Sequence, residues 1–327
     1  MTSRHDSPNI SVIVPSYNKP EYLPECLRSV QAQTFTDWEC IVVNDGSPRG
    51  DEIRAAVTAM NDPRFRLVEH GINRGLAAAR NTGVRDARAE LVICVDEDDW
   101  IREDCLGKLL HAMQAGDSEI VCPHALWIGE GEARIWKCRV VAIPEILVTQ
   151  PLLPAGFIMR KSAWDRVGGW DEHPVLRNGR EDTEWWIRAV KHGCTIAICD
   201  EPLYCYRQPF LTEELTRSLN ITARRHELRL RKYIINKHRD IYQSHLVEKR
   251  RFLCGALRAE AWYHQRYGSR WRFVLRLWQV PFHSRKLRDV RNAIKGMLAA
   301  LLGERRLESI LRWKRRMAGA QDAQVAG

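Results

Sequence analysis

No run of about 18 uncharged apolar residues occurs anywhere in the 327 residues, so no membrane-crossing helix is predicted. The first residues, MTSRHDSPN, lack the apolar centre of a secretory leader. The expected location is the cytoplasm. The ten cysteines form no Cys-x-x-Cys pair of the kind that holds zinc, and most sit inside apolar runs, which points to reduced, buried thiols. No Gly-x-Gly-x-x-Gly follows the first predicted strand, which removes the dehydrogenase signature. The loop there reads PSYNKPEY, which is not the glycine-rich, arginine-bearing phosphate loop of a nucleotidyltransferase. No repeat longer than a β-α unit is visible, and the only low-complexity tract is the final GAQDAQVAG.

What is present suits a folded chain: 45% hydrophobic and 28% charged residues allow a sizeable core under a charged surface, in one large or two smaller domains. The net charge of +10 is unevenly spread. Residues 1–207 hold 24 Lys and Arg against 31 Asp and Glu, whereas residues 208–327 hold 27 against 10. One region is therefore at −7 and the other at +17, which suggests two jobs.

The run ISVIV at Ile10 to Val14 ends in polar PSYN and leads into a helical pattern with Leu23, Leu27 and Val30. The same strand, loop and helix recur from Cys40 to Val43 into a helix near 51–60, from Phe65 to Val68 into Leu76 to Ala87, and from Leu91 to Val95 into 103–115. Four such units predict an α/β fold with a mostly parallel, Rossmann-like sheet flanked by helices. Ligands in such sheets bind beyond the carboxyl ends of the strands, so the loops matter most. Further strands are expected near 120–121, 133–140, 155–160 and 195–198, with a helix near 182–192. From about Leu211 onward, Leu219, Leu228, Leu230, Tyr233, Ile234 and their successors recur at helical spacing, giving a basic helical extension.

Four consecutive acids, Asp96-Glu97-Asp98-Asp99, directly follow the fourth apolar strand. Carboxylates gathered there favour a divalent cation that shares its ligands with substrate phosphates, although an acidic turn at a helix start reads the same way. Asp45 in VVNDGS, Tyr17 in PSYN, Arg80 in NRGLAAARNTG and Asp182 at a predicted helix start each have an ordinary local reading, as turn, kink or helix residue. Their order is the specific signal. VIVPSYN, VVNDGS, NRGLAAARNTG and VDEDDW, followed by AGFIMRK, VGGWDE, REDTEWW and Tyr206-Arg207, resemble the family 2 glycosyltransferases of GT-A fold over about residues 8–208.

The resemblance implies a catalytic domain over 1–208, with a nucleotide-sugar-binding half at 8–122 and an acceptor-side half at 123–208, followed by the basic helical region 209–327. It places Pro15, Tyr17, Asn18, Asp45, Asn73, Arg80 and Asp96 around the donor nucleotide. Asp96 and Asp98 fall at the ends of the family's Asp-x-Asp motif, with Asp98 the nearer candidate for a metal ligand, Mn²⁺ or Mg²⁺. Asp182 falls at the position of the catalytic base, with Glu181 beside it, and Trp170 and Asp171 face the acceptor side. The implied reaction moves a sugar from a nucleotide-diphosphate donor, most simply a UDP-sugar, to the hydroxyl of a glycan or lipid-linked acceptor, with inversion. Such chemistry needs a cation against the leaving phosphates and a base for the hydroxyl. A silent protein of the same fold and a nucleotidyltransferase are the alternatives.

Trp185 and Trp186 are neighbours on one predicted helix, so at most one can face a sugar and the other belongs to the core. His124, His173 and His192 lack metal-ligand spacing and read as structural or exposed. In the extension, Arg224, Arg225, Arg229, Arg231 and Lys232, the stretch Arg270 to Trp278, and the segment 311–316 alternate cations with bulky apolar residues. That pattern points to docking on an anionic membrane surface rather than on nucleic acid, with a plain solvated helix as the competing reading.

Overall fold

A strand covered on both faces has to be apolar along its length, and β1 (Ile10–Ser16) and β2 (Trp38–Asn44) are buried at every position. With β3 (Phe65–Glu69) and β4 (Leu91–Cys94) they form a parallel block in the order β3-β2-β1-β4. The computed structural model describes residues 7–129, 132–150, 152–207, 225–267, 270–283 and 287–302. The chain divides into two compact units, residues 1–217 and 218–327.

In the first unit, α1 (Leu23–Gln31), α2 (Gly50–Ala59) and α3 (Leu76–Asp86) link the parallel strands. Helix α1 buries Leu23, Cys26, Leu27 and Val30, the i, i+3, i+4, i+7 stripe of one helical face. Because β1 pairs with β2 on one side and β4 on the other, the strand order reverses at β1. The crevice at such a reversal lies beyond the carboxyl ends of β1 and β4, where PSYN and the four acids sit.

The other half of the sheet is mixed. The two-residue β5 (Trp100–Ile101) leads into α4 (Cys105–Gly116), which is followed by β6 (Ile120–Ile128), β7 (Arg134–Trp136) and β8 (Ile158–Arg160). Helices α5 (Lys161–Val167) and α6 (Glu181–Lys191) precede β9 (Ile196–Arg207). Strand β8 runs antiparallel to both β4 and β6, β9 is parallel to β6, and β5 is antiparallel to β9. The expected parallel character thus belongs to the nucleotide-side half, where helices connect successive strands. Strand β9 reaches nine residues beyond the expected end at 198 because its pairing with β6 continues through an irregularity at Pro123 and His124, past the polar Asp200-Glu201. Sequence periodicity breaks there although the backbone ladder does not.

All ten cysteines are free, nine of them buried. His124 is structural: its Nε2 lies 2.8 Å from Asp200, and its Nδ1 accepts from the backbone of Cys138. His173 Nδ1 accepts from the Val175 backbone, a local turn contact.

The second unit is helical throughout its described residues: α7 (Glu227–Lys237), α8 (Arg239–Ser244), α9 (Leu246–Tyr267), α10 (Arg270–His283) and α11 (Leu287–Leu302). Its core joins Cys254, Leu257 and Ala261 of α9 to Phe273, Leu277 and Val280 of α10 and to Ala293 and Met297 of α11. Arg276 reaches the buried Glu260 at 2.6 Å, and Arg231 donates to the Phe252 carbonyl. The junction expected at 208, Leu219, Arg224 and the segments 311–316 and 319–327 lie outside the described residues. Among the described residues, no helix is long and apolar enough to cross a membrane.

Candidate active site

The four acids after β4 would repel one another if they faced the same way, and each is turned to a different partner. Glu97 points inward, where it accepts from the Ser16 hydroxyl and, at 3.0 Å, from the Tyr17 backbone N–H. Burial pushes its carboxyl up to about 7. Asp99 is buried as well, accepting from the Tyr204 hydroxyl at 2.6 Å and the Arg207 backbone at 2.8 Å. Burial, with the Asp98 and Asp96 charges behind it, raises that carboxyl well above the usual range. Gly156 makes room for this arrangement: it has φ +78°, and a Cβ there would stand 2.1 Å from Tyr204 Cδ2. Asp98 is more open and pairs with the Lys19 ammonium at 2.6 Å.

Asp96 meets Arg80. The guanidinium Nη2 lies 2.7 and 3.0 Å from the two Asp96 oxygens, and Nη1 lies 3.2 Å from Glu181 Oε1. Arg80 is 1% exposed, the Ala77-Ala78-Ala79 turn of α3 being small enough to pack it inward. Burial works against its charge, yet Asp96 and Glu181 hold the guanidinium above its ordinary range. Glu181 is pushed up to about 7, first by burial and then by the Asp182 charge, with Arg80 opposing. One buried cation therefore joins Asp96 to Glu181, which lies 101 residues beyond Arg80 in the chain. Arg80, which the resemblance implies near the nucleotide, spends its hydrogen bonds on these acids.

At the start of α6, Arg180 adopts a left-handed backbone, φ +71°, just before the Glu-Asp pair. Glu181 turns in to Arg80, and Asp182 is half-buried, accepting from the Gln150 amide at 2.5 Å and from the Thr183 backbone at 2.6 Å. Thr183 also bonds Gln150 through its hydroxyl, so the segment before β8 orients the Asp182 carboxylate.

Asp45 forms a second centre. Its two oxygens accept from Arg74 N at 2.9 Å, Gly75 N at 2.7 Å and Asn73 Nδ2 at 3.0 Å, with His70 Nδ1 at 2.7 Å. Such saturation fixes the turn that precedes α3. Gly46, with φ +65°, allows the close approach, since a Cβ there would lie 2.4 Å from the Ile72 carbonyl carbon. Arg177 clasps the same turn from outside through the Asn73 and Arg74 carbonyls. Of the PSYN residues, Pro15 is buried in β1, Asn18 is left-handed at φ +62°, and Tyr17 is 44% exposed at the mouth of the crevice.

Trp170 is not an open acceptor-side surface. It is 3% exposed, stacks on Trp185 at 5.5 Å, and lies under the Arg80 guanidinium at 5.8 Å. Both Trp185 and Trp186 are fully buried, so neither faces a sugar; the two rings meet edge to face at 5.0 Å, and Phe157 packs against both, at 5.3 and 4.6 Å. Asp171 is half-buried and accepts from the His173 backbone. Sequence reasoning passed over the aromatic set Trp127, Trp136 and Tyr206, contributed by β6, β7 and β9, with centroids 5.9 to 6.4 Å apart. Burial raises the Tyr206 phenol, and the charges of Asp99, Asp96, Asp98 and Asp182 act in the same direction. Arg207 is held between the Tyr22 and Trp100 rings and donates to the Asp98 carbonyl.

Residues 11–175 match the profile described as glycosyl transferase family 2. The chain belongs to that family. It is an enzyme family of sugar transferases, and the match takes in the four-acid turn after β4. EpsJ of Bacillus subtilis (strain 168), described as an uncharacterized glycosyltransferase, is 30% identical over 219 residues, 62% of this chain. That stretch spans 61% of EpsJ. Among solved structures, residues 1–349 of Staphylococcus aureus TarS in complex with UDP superpose with a TM-score of 0.55 at 18% identity, covering 90% of this chain and 92% of TarS 1–349. The mannosyltransferase PcManGT from Pyrobaculum calidifontis, in complex with GDP-Man and Mn²⁺, gives 0.53 at 18% identity, covering 91% and 86%. At such identities the likeness establishes the fold, which is GT-A.

Proposed function

We propose that this chain transfers a sugar, with inversion, from a UDP-sugar to an acceptor hydroxyl on a glycan or lipid-linked saccharide, in cell-surface polysaccharide or glycolipid synthesis. The observation that carries the reading is the buried Asp96–Arg80–Glu181 bridge, which brings the acids beyond β4 and the carboxylates at the start of α6 to one place.

The donor set fits a divalent cation. Two carboxylates at a strand end are hard oxygen ligands, and the one opposite Asp98 is a flexible ammonium that can swing away. Among the described residues, no three His, Cys, Asp or Glu side chains converge as a cage, so a cation here would draw its remaining ligands from the donor's phosphates. Held by Asp98 with Asp96 beside it, the ion would neutralise the charge that gathers on the leaving diphosphate.

The chain's own residues do the rest. Tyr17 and the turn fixed by Asp45 border the nucleotide. Asp182, oriented by Gln150, takes the proton of the acceptor hydroxyl, whose oxygen forms the new bond to the anomeric carbon as the bond to the diphosphate breaks on the opposite face. Since Trp170 is buried, the half-exposed Trp127 with Trp136 and Tyr206 is the aromatic surface offered to the acceptor.

The test is release of nucleoside diphosphate from a panel of UDP-, GDP-, dTDP- and ADP-sugars, with Mn²⁺ and with EDTA, with the product anomer read by NMR. A UDP-sugar turned over only with metal, giving the inverted anomer, is the expected result. Absence of donor binding or turnover across the panel would sink the reading, and a retained anomer would sink its in-line step.

A further inference from the structure

Helix α10 carries apolar side chains on two opposite faces. Its inner face, Phe273, Leu277 and Val280, completes the core with α9 and α11. Its outer face holds Trp271, Leu275, Trp278 and Phe282, spaced four, three and four residues apart, so they form a single stripe. Their exposures are 76%, 51%, 60% and 65%. Isolated exposed apolar residues are ordinary, but a contiguous aromatic stripe on a helix whose other face already supplies the core is not explained by packing.

The charge around the stripe selects its occupant. Residues 270–302 include eight Lys and Arg and a single acid, Asp289. On α11, Arg291 and Lys295 alternate with Ile294 and Leu298, which are 45% and 40% exposed. Two copies of such a face would bring like charge against like. An anionic bilayer satisfies both features, since its headgroups attract the cations while Trp, Phe and Leu enter the boundary of the acyl region. No described helix is long and apolar enough to cross the bilayer.

We propose that the outer face of α10 docks this chain flat on an anionic lipid bilayer, with α11 adding cations beside it. Such docking does not depend on the sugar-transfer reading.

Flotation of the full chain with vesicles tests it. Binding is expected to vesicles of equimolar phosphatidylcholine and phosphatidylglycerol, weakly to phosphatidylcholine alone, and to fall with added salt. The triple variant Trp271→Ser, Trp278→Ser, Phe282→Ser should lose about tenfold or more in vesicle partitioning with little change in the thermal midpoint. Should the triple variant fail to fold, the single Trp271→Ser change reads the same loss in smaller measure. The proposal is overturned if the wild type stays unbound or if the variants float as the wild type does. It is equally overturned if sedimentation shows a dimer that the variants dissociate while vesicles capture neither, because the stripe would then join two copies of the chain.

Discussion

In the sheet unit buried charges, Arg80, Glu97, Asp99 and Glu181, gather at the strand-end crevice, whereas the helical unit, which buries Glu227 and Glu260 as well, is set apart by exposed aromatics, Trp271, Trp278 and Phe282. Both run against the usual partition of side chains, and they teach different things. A buried charge has to be paired within the fold, and replacing such a network with apolar residues is often no less stable. Its retention at a strand-end crevice therefore speaks for chemistry. An exposed aromatic stripe that the described residues of its unit leave uncovered speaks for something that arrives from outside.

The comparison can be broken most severely at Asp182. If the buried network serves catalysis, Asp182→Asn should lower transfer by about 10²- to 10⁴-fold while donor affinity, read by calorimetry, stays unchanged. A wild-type rate would mean that another group takes the proton. Next in size is Arg80→Met, which strands Asp96 and Glu181 without their shared cation and should cost about 3–5 kcal/mol in denaturant unfolding. A loss no larger than that of a surface arginine such as Arg54 would show that the bridge is not what holds the two motifs together.

Glu97 sharpens the contrast through pH. Its carboxyl stands at about 7 in the folded chain against an ordinary 4.5, so between these values the unfolded chain gives up a proton that the folded chain keeps. Stability from this group is complete below pH 4.5 and is lost as pH rises to about 7, a span of about 3 kcal/mol. Glu97→Gln should flatten that part of the stability curve. An unchanged slope would mean that Ser16 and Tyr17 hold the carboxylate ionised. The smallest effect belongs to the other unit: the triple serine variant on α10 should shift unfolding by only about 0.5 kcal/mol. A much larger loss would place the stripe in the core and dissolve the comparison.

Much of this was readable in advance. Continuous apolar runs marked β1, β2 and β4, the helical stripe of α1 fell where Leu23, Leu27 and Val30 put it, and the acidic turn was visible as a string. What local pattern hid were orientations. Nothing in Asp96-Glu97-Asp98-Asp99 says that the second and fourth acids turn inward while the third stays open. Nor does Trp185-Trp186 reveal that Phe157, from another segment, buries both rings.

Periodicity and composition act between near neighbours, so most elements, the order of the motifs and the separation of negative from positive charge are written in the chain, whereas α5, β5 and the far end of β9 are not. Tertiary structure alone decided the partners. Ser16 meets Glu97 across 81 residues, Arg80 meets Glu181 across 101, and Tyr204 meets Asp99 across 105. Those distances along the chain are closed by the order in which the strands lie in the sheet, and a carboxylate takes the partner which that order brings within hydrogen-bonding reach.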